Sequence, residues 1–411
     1  MIWLDRTLST VLSRAAVTFP ALVVTGPRQS GKTSLIRRHF GSTHNYLSLE
    51  NPDVRERATA DPRGFLARHH GPAIFDEIQF APVLLNYLKS LIDEDRTPGR
   101  WVLTGSQQFT LMAHVSQSLA GRAAIVTLLP LSIAEAAGRP EADMEVERMI
   151  RRVFAPDTSR LLSGSPPCPR ADWILRGGYP EMRTNPKVDR RLWFASYIQT
   201  YLERDVRQLA NVGDLDTFAR FVRLCAARTA QVLNMSDLAR DTGVSVPTVK
   251  RWLSALQAGG QVFLLPPYHR NFGKRLIKAP KLYFTDTGVA AFLLGLHNAE
   301  AVLDGNFAGP LFETAVVIEW LKVFLHRGEL PALYYWRTSD GIEVDLIVEH
   351  GGRLHPIEIK STSTVRPRDA AGLLKWLSLV GKESADGIIV ADIAEDIPVA
   401  KGVRAVPWWW S

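Results

Sequence analysis

Residues 26–33 read Gly26-Pro27-Arg28-Gln29-Ser30-Gly31-Lys32-Thr33, a G-x-x-x-x-G-K-T loop. The loop follows Ala21-Leu22-Val23-Val24-Thr25, an apolar, β-branched run that reads as a buried strand. It precedes Ser34-Leu35-Ile36-Arg37-Arg38, which reads as the opening of a helix. In that setting successive backbone N–H groups curl around phosphate oxygens, and the helix N-terminus adds a favourable dipole. On this reading Gly26 to Ser34 bind a nucleotide, Lys32 reaches the β- and γ-phosphates, and the Thr33 hydroxyl binds Mg²⁺. ATP and Mg²⁺ are therefore the expected ligands.

The rest of the chain bounds what surrounds this loop. At 411 residues, 46% hydrophobic and 22% charged, it has the composition of a folded protein with enough chain for several cores. No run of about 18 apolar residues occurs, so no membrane span is expected. Met1-Ile2-Trp3-Leu4-Asp5-Arg6 lacks the apolar stretch of a signal peptide, and a cytoplasmic location is expected. Two cysteines, Cys168 and Cys225, exclude a disulfide framework and a cysteine zinc cluster. The net charge is +7, and its distribution is uneven. From Thr242 to Thr285 there is no Asp or Glu. Lys250, Arg251, Arg270, Lys274, Arg275, Lys278 and Lys281 fall in that window and equal the whole net charge. Such a stripe is an electrostatic footprint for a polyanion, here DNA; the alternative is a solvated basic face. Trp408-Trp409-Trp410 near the C-terminus reads as a terminal strand filling an apolar groove.

Downstream of the loop, strand and helix patterns alternate to about residue 135, which predicts an α/β fold with a mostly parallel sheet. Asn45-Tyr46-Leu47-Ser48-Leu49 reads as a second strand. The apolar run Ala73-Ile74-Phe75 ends in Asp76-Glu77. At a strand end after a phosphate loop, Asp76 is expected to hold Mg²⁺ and Glu77 to polarise the attacking water. Trp101-Val102-Leu103-Thr104-Gly105-Ser106 is a further strand, with Ser106, and next Thr104, placed to sense the γ-phosphate. Arg122, after Ser118-Leu119-Ala120-Gly121, is a candidate arginine finger from this chain or a neighbouring subunit; it reads equally as a surface arginine. These segments resemble the AAA-superfamily ATPases of prokaryotes. In particular they resemble the family whose C-terminal half is the domain of unknown function numbered 4143. That resemblance implies ATP binding.

Beyond a Ser-, Pro- and Gly-rich stretch near 163–167, Arg176-Gly177-Gly178-Tyr179-Pro180-Glu181 resembles the turn that opens the family's helical lid. Arg204 and Asp205 recur in that family and read as an ion pair within the lid. Residues 236–253 have the form of a helix-turn-helix, with Ser236 and Ser245 as caps, Gly243 at the turn and Pro247 in the second helix's first turn. Val246, Val249, Leu253 and Leu256 share one face. Thr248, Lys250, Arg251 and Ser254 fall outward, where a DNA reader meets the major groove. Val262–Leu265 and Lys281–Phe284 are the expected wing strands, and Arg270, Lys274 and Arg275 lie between them.

The last hundred residues read as a helix from Thr314 to about Leu325, a strand at 333–337, an Asp340-Gly341 turn, a strand at 342–348, a Gly351-Gly352 turn and a strand ending Glu358-Ile359-Lys360. Asp345 beside Glu-x-Lys, with Glu313 near a preceding helix, resembles the PD-(D/E)xK nuclease core. That resemblance makes Glu313, Asp345 and Glu358 Mg²⁺ ligands and Lys360 the catalytic lysine; Val344 stands where the pattern often has proline. The expected domains are an AAA-type ATPase at 1–138, a linker and lid at 139–212, a winged helix at 213–298 and an α/β, restriction-endonuclease-like domain at 299–411. The expected activity is an ATPase acting on DNA, with possible metal-dependent cleavage. Two alternatives stand beside it: an ATP-switched DNA-binding regulator or toxin–antitoxin component, and an ATP-dependent protein-interaction module; on any of these readings the expected partners are nucleotide and DNA, with a homo-oligomer or a protein partner open beside them.

Overall fold

The computed structural model describes residues 2–106, 118–141, 144–155, 166–200, 214–268 and 279–409. Arg204, Asp205, Arg270, Lys274, Arg275 and Lys278 lie outside these residues.

Strands β1 (Ala21–Thr25), β2 (Asn45–Ser48), β3 (Ala73–Asp76), β4 (Trp101–Gly105) and β5 (Ala123–Thr127) form one parallel sheet in the order β2-β3-β4-β1-β5. Every residue of β1, β3 and β4 is buried. Parallel strands covered by helices on both faces require such unbroken apolar runs. The order sets β1 beside β4, with β3 next in line, so the phosphate loop after β1 and the acidic end of β3 emerge at the same edge of the sheet.

A three-stranded antiparallel sheet follows, β6 (Gln231–Val232), β7 (Val262–Leu265) and β8 (Lys281–Phe284), with β8 in the middle. Helices Met235–Thr242 and Val246–Ala258 precede β7 and meet at Gly243, whose φ of 76° favours glycine. Ser245 caps the second helix, accepting from Thr248 N. Two expectations need correction. Asn234, not Ser236, caps the first helix, because its Oδ1 accepts from the N–H groups of Ser236 and Asp237. Val246 is 40% exposed; the apolar face starts one turn later and includes Trp252.

The third sheet runs β13 (Ile397–Ala400), β14 (Val403–Pro407), β12 (Gly387–Ala391), β11 (Arg353–Lys360), β10 (Glu343–His350), β9 (Leu333–Arg337). The preceding helix begins at Ala308, six residues before the sequence suggests, and runs to Leu325, so Glu313 lies within it. Pro310 is tolerated there because it falls in the first turn. From Leu311 to Phe324 nearly every side chain is buried, charged ones included. A helix apolar on all sides sits inside a protein. Its core joins Leu129 and Ile133 of the first unit, Leu265 and Tyr283 of the second, and Leu346, Ile357 and Trp408 of the third. No described helix is long and apolar enough to cross a membrane.

Candidate functional site

Gly31 adopts φ 96° at the start of helix Lys32–Phe40, and Gly26 adopts φ 140°. A methyl group at Gly26 would lie 2.1 Å from Leu128 O, so only glycine lets the loop leave β1 at this point. Lys32 is buried and its Nζ donates to Gly26 O at 3.0 Å and Pro27 O at 2.8 Å. Ser30 Oγ is buried with no hydrogen-bond partner. Such a group calls for one, and a phosphate oxygen would meet the need. With Ser34 exposed at the helix start, the loop fits a polyphosphate.

The end of β3 completes this site. Thr33 Oγ1 donates to Asp76 at 3.0 Å, Tyr46 OH donates to Asp76 Oδ2 at 2.7 Å, and the Thr104 hydroxyl donates to Asp76 Oδ1. The donor set of Thr33 hydroxyl and Asp76 carboxylate is hard oxygen and suits Mg²⁺. Glu77 follows at φ 58°, a left-handed conformation that is unusual for a residue with a long side chain. This places its N–H 3.0 Å from Thr104 Oγ1 and its Oε2 3.0 Å from Ser106 Oγ, with Gln79 Nε2 donating to the same oxygen. Burial works to raise the Glu77 pKa. The Lys32 charge and the hydrogen bonds from Gln79 and Ser106 prevail and hold it below its ordinary value, so the carboxyl is charged. Ser106 and Thr104 thus both bear on the acidic pair.

Arg122 lies elsewhere. It directly precedes β5, where Ala21 pairs with Ala123 at the far end of β1. Five residues of strand, about 15 Å, separate that end from the loop. Its guanidinium binds Asp93 through two hydrogen bonds of 2.7 and 2.9 Å. Arg122 therefore does not serve its own chain's phosphate loop, and its pairing with Asp93 fits the surface-arginine reading.

The second helix of the helix-turn-helix exposes Lys250, Arg251 and Ser254, with Thr248 half-buried. Lys281 is not part of this basic face; it is 3% exposed. Its Nζ lies 2.8 Å from Glu313 Oε1 and 3.6 Å from Asp345 Oδ1, and it pairs with Glu343. The register that sets Leu346 against Ile357 also sets Asp345 against Glu358, on one face of neighbouring strands. Lys360 Nζ lies 2.6 Å from Glu358 Oε1. The structure thus brings Glu313, Asp345, Glu358 and Lys360 together, with Lys281 among them. Among the described residues, no three His, Cys, Asp or Glu side chains are placed to hold a metal ion. Burial, with the Asp345 charge next for Glu358, raises the carboxyls of Glu358 and Glu313.

Sequence reasoning misses a third set of charges. Arg6 NH1 donates to Ser30 O in the phosphate loop at 2.8 Å, and Arg6 pairs with Glu135 at 3.2 Å. Glu135 lies 3.4 Å from His326 Nδ1, and Leu129 N donates to His326 Nε2. Glu319 accepts from Ile133 N, and Lys322 donates to Leu131 O. Gly260, after the second helix of the helix-turn-helix, abuts the phosphate loop: a methyl group there would lie 3.0 Å from Pro27 Cδ. Isolated ionic residues inside an otherwise apolar helix, Glu319 and Lys322, are the one sequence signal for this network.

Comparison with known proteins gives an AAA domain at residues 18–137, a domain of unknown function (DUF8612) at 170–300 and a domain of unknown function (DUF4143) at 308–410. Two uncharacterised proteins, of Mycobacterium bovis and Mycobacterium tuberculosis, are each 34% identical over 397 residues, 96% of this chain and 82% of the relative. Among solved structures, a Walker-type ATPase of Pyrococcus abyssi is 16% identical with a TM-score of 0.42, covering 71% of this chain and 96% of its own. The RuvB Holliday junction branch migration motor of Thermotoga maritima is 16% identical with a TM-score of 0.30, over 63% and 89%.

Proposed function

This chain belongs to the prokaryotic AAA-type P-loop ATPases that carry a C-terminal DUF4143 domain, and from that premise we propose that it is a Mg²⁺-dependent ATP hydrolase whose nucleotide state controls DNA binding by its winged helix. Thr33 and Asp76 would hold the Mg²⁺, which when bound supplies charge to the β- and γ-phosphates. Lys32 brings a second positive charge to the loop. Glu77, held as a carboxylate, polarises the attacking water, and Ser106 and Thr104 fix its direction.

The observation that carries the control of DNA binding is the contact of Gly260 with Pro27. Gly260 lies in the turn that ends the helix exposing Lys250 and Arg251, so that turn is seated against the loop that takes the nucleotide. A change in the loop on loading alters that seat. DNA cleavage by the C-terminal domain is left out of this proposal, because the Lys281 ammonium lies between the carboxylates that would serve it.

Fluorescence anisotropy on a labelled duplex tests the reading, with no nucleotide, ADP or a non-hydrolysable ATP analogue. A difference of about fivefold or more between states is expected, the lower range of measured couplings. It should vanish in Lys32→Ala and in Gly260→Val. Equal affinity in all three states ends the switch reading, and no binding even at low salt ends the DNA reading.

A further inference from the structure

Glu313 of helix Ala308–Leu325 and Glu343 and Asp345 of β10 face one point inside the protein. Glu358 adds a further carboxyl from β11, opposite Asp345, and its Oε2 is buried without a hydrogen-bond partner. Carboxylates taken out of water this close together repel and need a shared positive charge. Hard oxygen donors are the type that Mg²⁺ or Mn²⁺ takes, but with the ammonium in place no three of these carboxylates are spaced to hold a metal ion. The point they face is held by Lys281 Nζ instead.

Lys281 does not come from the sheet that carries β10 and β11. It opens β8, the central strand of the winged-helix sheet, where Val232 and Leu265 pair it from both sides. An ammonium has three donors, and Glu313, Glu343 and Asp345 surround it. Tyr283, two residues on and so on the same face, donates to Glu313 Oε1 at 2.6 Å and fixes that carboxylate toward the cluster. A strand paired on both sides does not withdraw its side chain readily.

We propose that the Lys281 ammonium takes the place of a divalent cation in this cluster. The winged helix closes the C-terminal site to metal, and removal of the ammonium opens a Mg²⁺- or Mn²⁺-binding site made by Glu313, Asp345 and Glu358.

The test is Mn²⁺ binding by the full chain, without nucleotide, in an Asp76→Asn background that silences the phosphate-loop side. The parent should show no Mn²⁺ site that depends on Asp345. Lys281→Met should gain one, lost again with Asp345→Ala. Mn²⁺ should raise its melting temperature by several degrees and leave the parent's unchanged. Lys281→Met leaves buried like charges, so Lys281→Met with Glu343→Gln is made beside it to lower the repulsion while keeping three ligands. If either variant folds only with Mn²⁺, the proposal is supported. An Asp345-dependent Mn²⁺ site in the parent overturns it. So does the failure of both variants, folded or unfolded, to bind Mn²⁺ or to recover with it.

Discussion

Arg6 and Glu135 form an ion pair of 3.2 Å with side chains 4% and 0% exposed. The same guanidinium donates to Ser30 O in the phosphate loop and to Leu129 O beyond β5. Glu135 also accepts from the N–H groups of Thr7 and Ser132. The phosphate loop is therefore braced from below by a charge pair that the C-terminal helix closes through His326. Truncating one member of a buried pair strands the other, so Arg6→Ala and Glu135→Ala should each cost about 3–5 kcal/mol. Urea unfolding measures this. A double variant losing much less than the sum of the two would show that the pair acts as a unit.

Nucleotide turnover separates the two roles at the sheet edge. Lys32→Ala should abolish ATP binding, because it removes the cation of the loop. Glu77→Gln should keep binding and lose about 10²- to 10⁴-fold in turnover, the usual worth of a positioned base. Calorimetry reads the first effect and phosphate release the second. Unchanged hydrolysis in both would remove the site from the reading.

DNA binding through the exposed helix should weaken steeply with salt as counterions are released. Replacing Lys250 and Arg251 with Ala should lower the slope of log K against log salt by about 2, near 0.9 for each lost phosphate contact. A slope that stays unchanged would place the bound strand elsewhere.

The two buried titrations have opposite signs. Burial lowers the His326 pKa, against the pull of Glu135. The N–H of Leu129 donates to Nε2, so the folded state holds the neutral ring with its proton on Nδ1. The unfolded chain takes up a proton first, and this contribution to stability is lost as pH falls below about 6.5. Glu358 is the reverse, its carboxyl raised to about 8 by burial and by Asp345, with Lys360 only partly opposing. The folded state holds the extra proton, so stability is present below the ordinary carboxyl value and is lost as pH rises toward 8. Melting temperatures should fall between about pH 5 and 8 in wild type and fall less steeply there in Glu358→Gln, the remaining slope coming from Glu313, whose carboxyl is raised to about 7. His326→Gln should flatten the acidic end alone.

What could be read from the chain was what local chemistry determines. The phosphate loop, the acidic end of β3, the hairpin turns at Gly341 and Gly351–Gly352 and the second helix cap each rest on a few adjacent residues. The rest depended on partners far away in sequence. Lys281 looks like one more charge in an acid-free window, and nothing near it reveals three carboxylates, two from another sheet and one from helix Ala308–Leu325. Arg6 carries no motif. Asn234 took the cap from Ser236 because an Asn one residue before the helix reaches two N–H groups at once. The early start at Ala308 was hidden by Gly309 and Pro310, which read as a break and are instead accommodated in a first turn.

Glu319 reaches Ile133 N from 186 residues further along the chain. At about 5–20 residues per second of synthesis, the first sheet waits roughly 10–40 s before that carboxylate exists. Until then Ile133 N and Leu131 O lack their final partners, Glu135 has Arg6 but not His326, and the apolar surface of Leu129 and Ile133 has no helix against it. A nascent chain stopped near residue 138 is thus an open edge, one that a holding chaperone would recognise. Expressing the first unit alone should yield protein that aggregates, and supplying the segment from Ala308 to Leu325 on the same chain should rescue it.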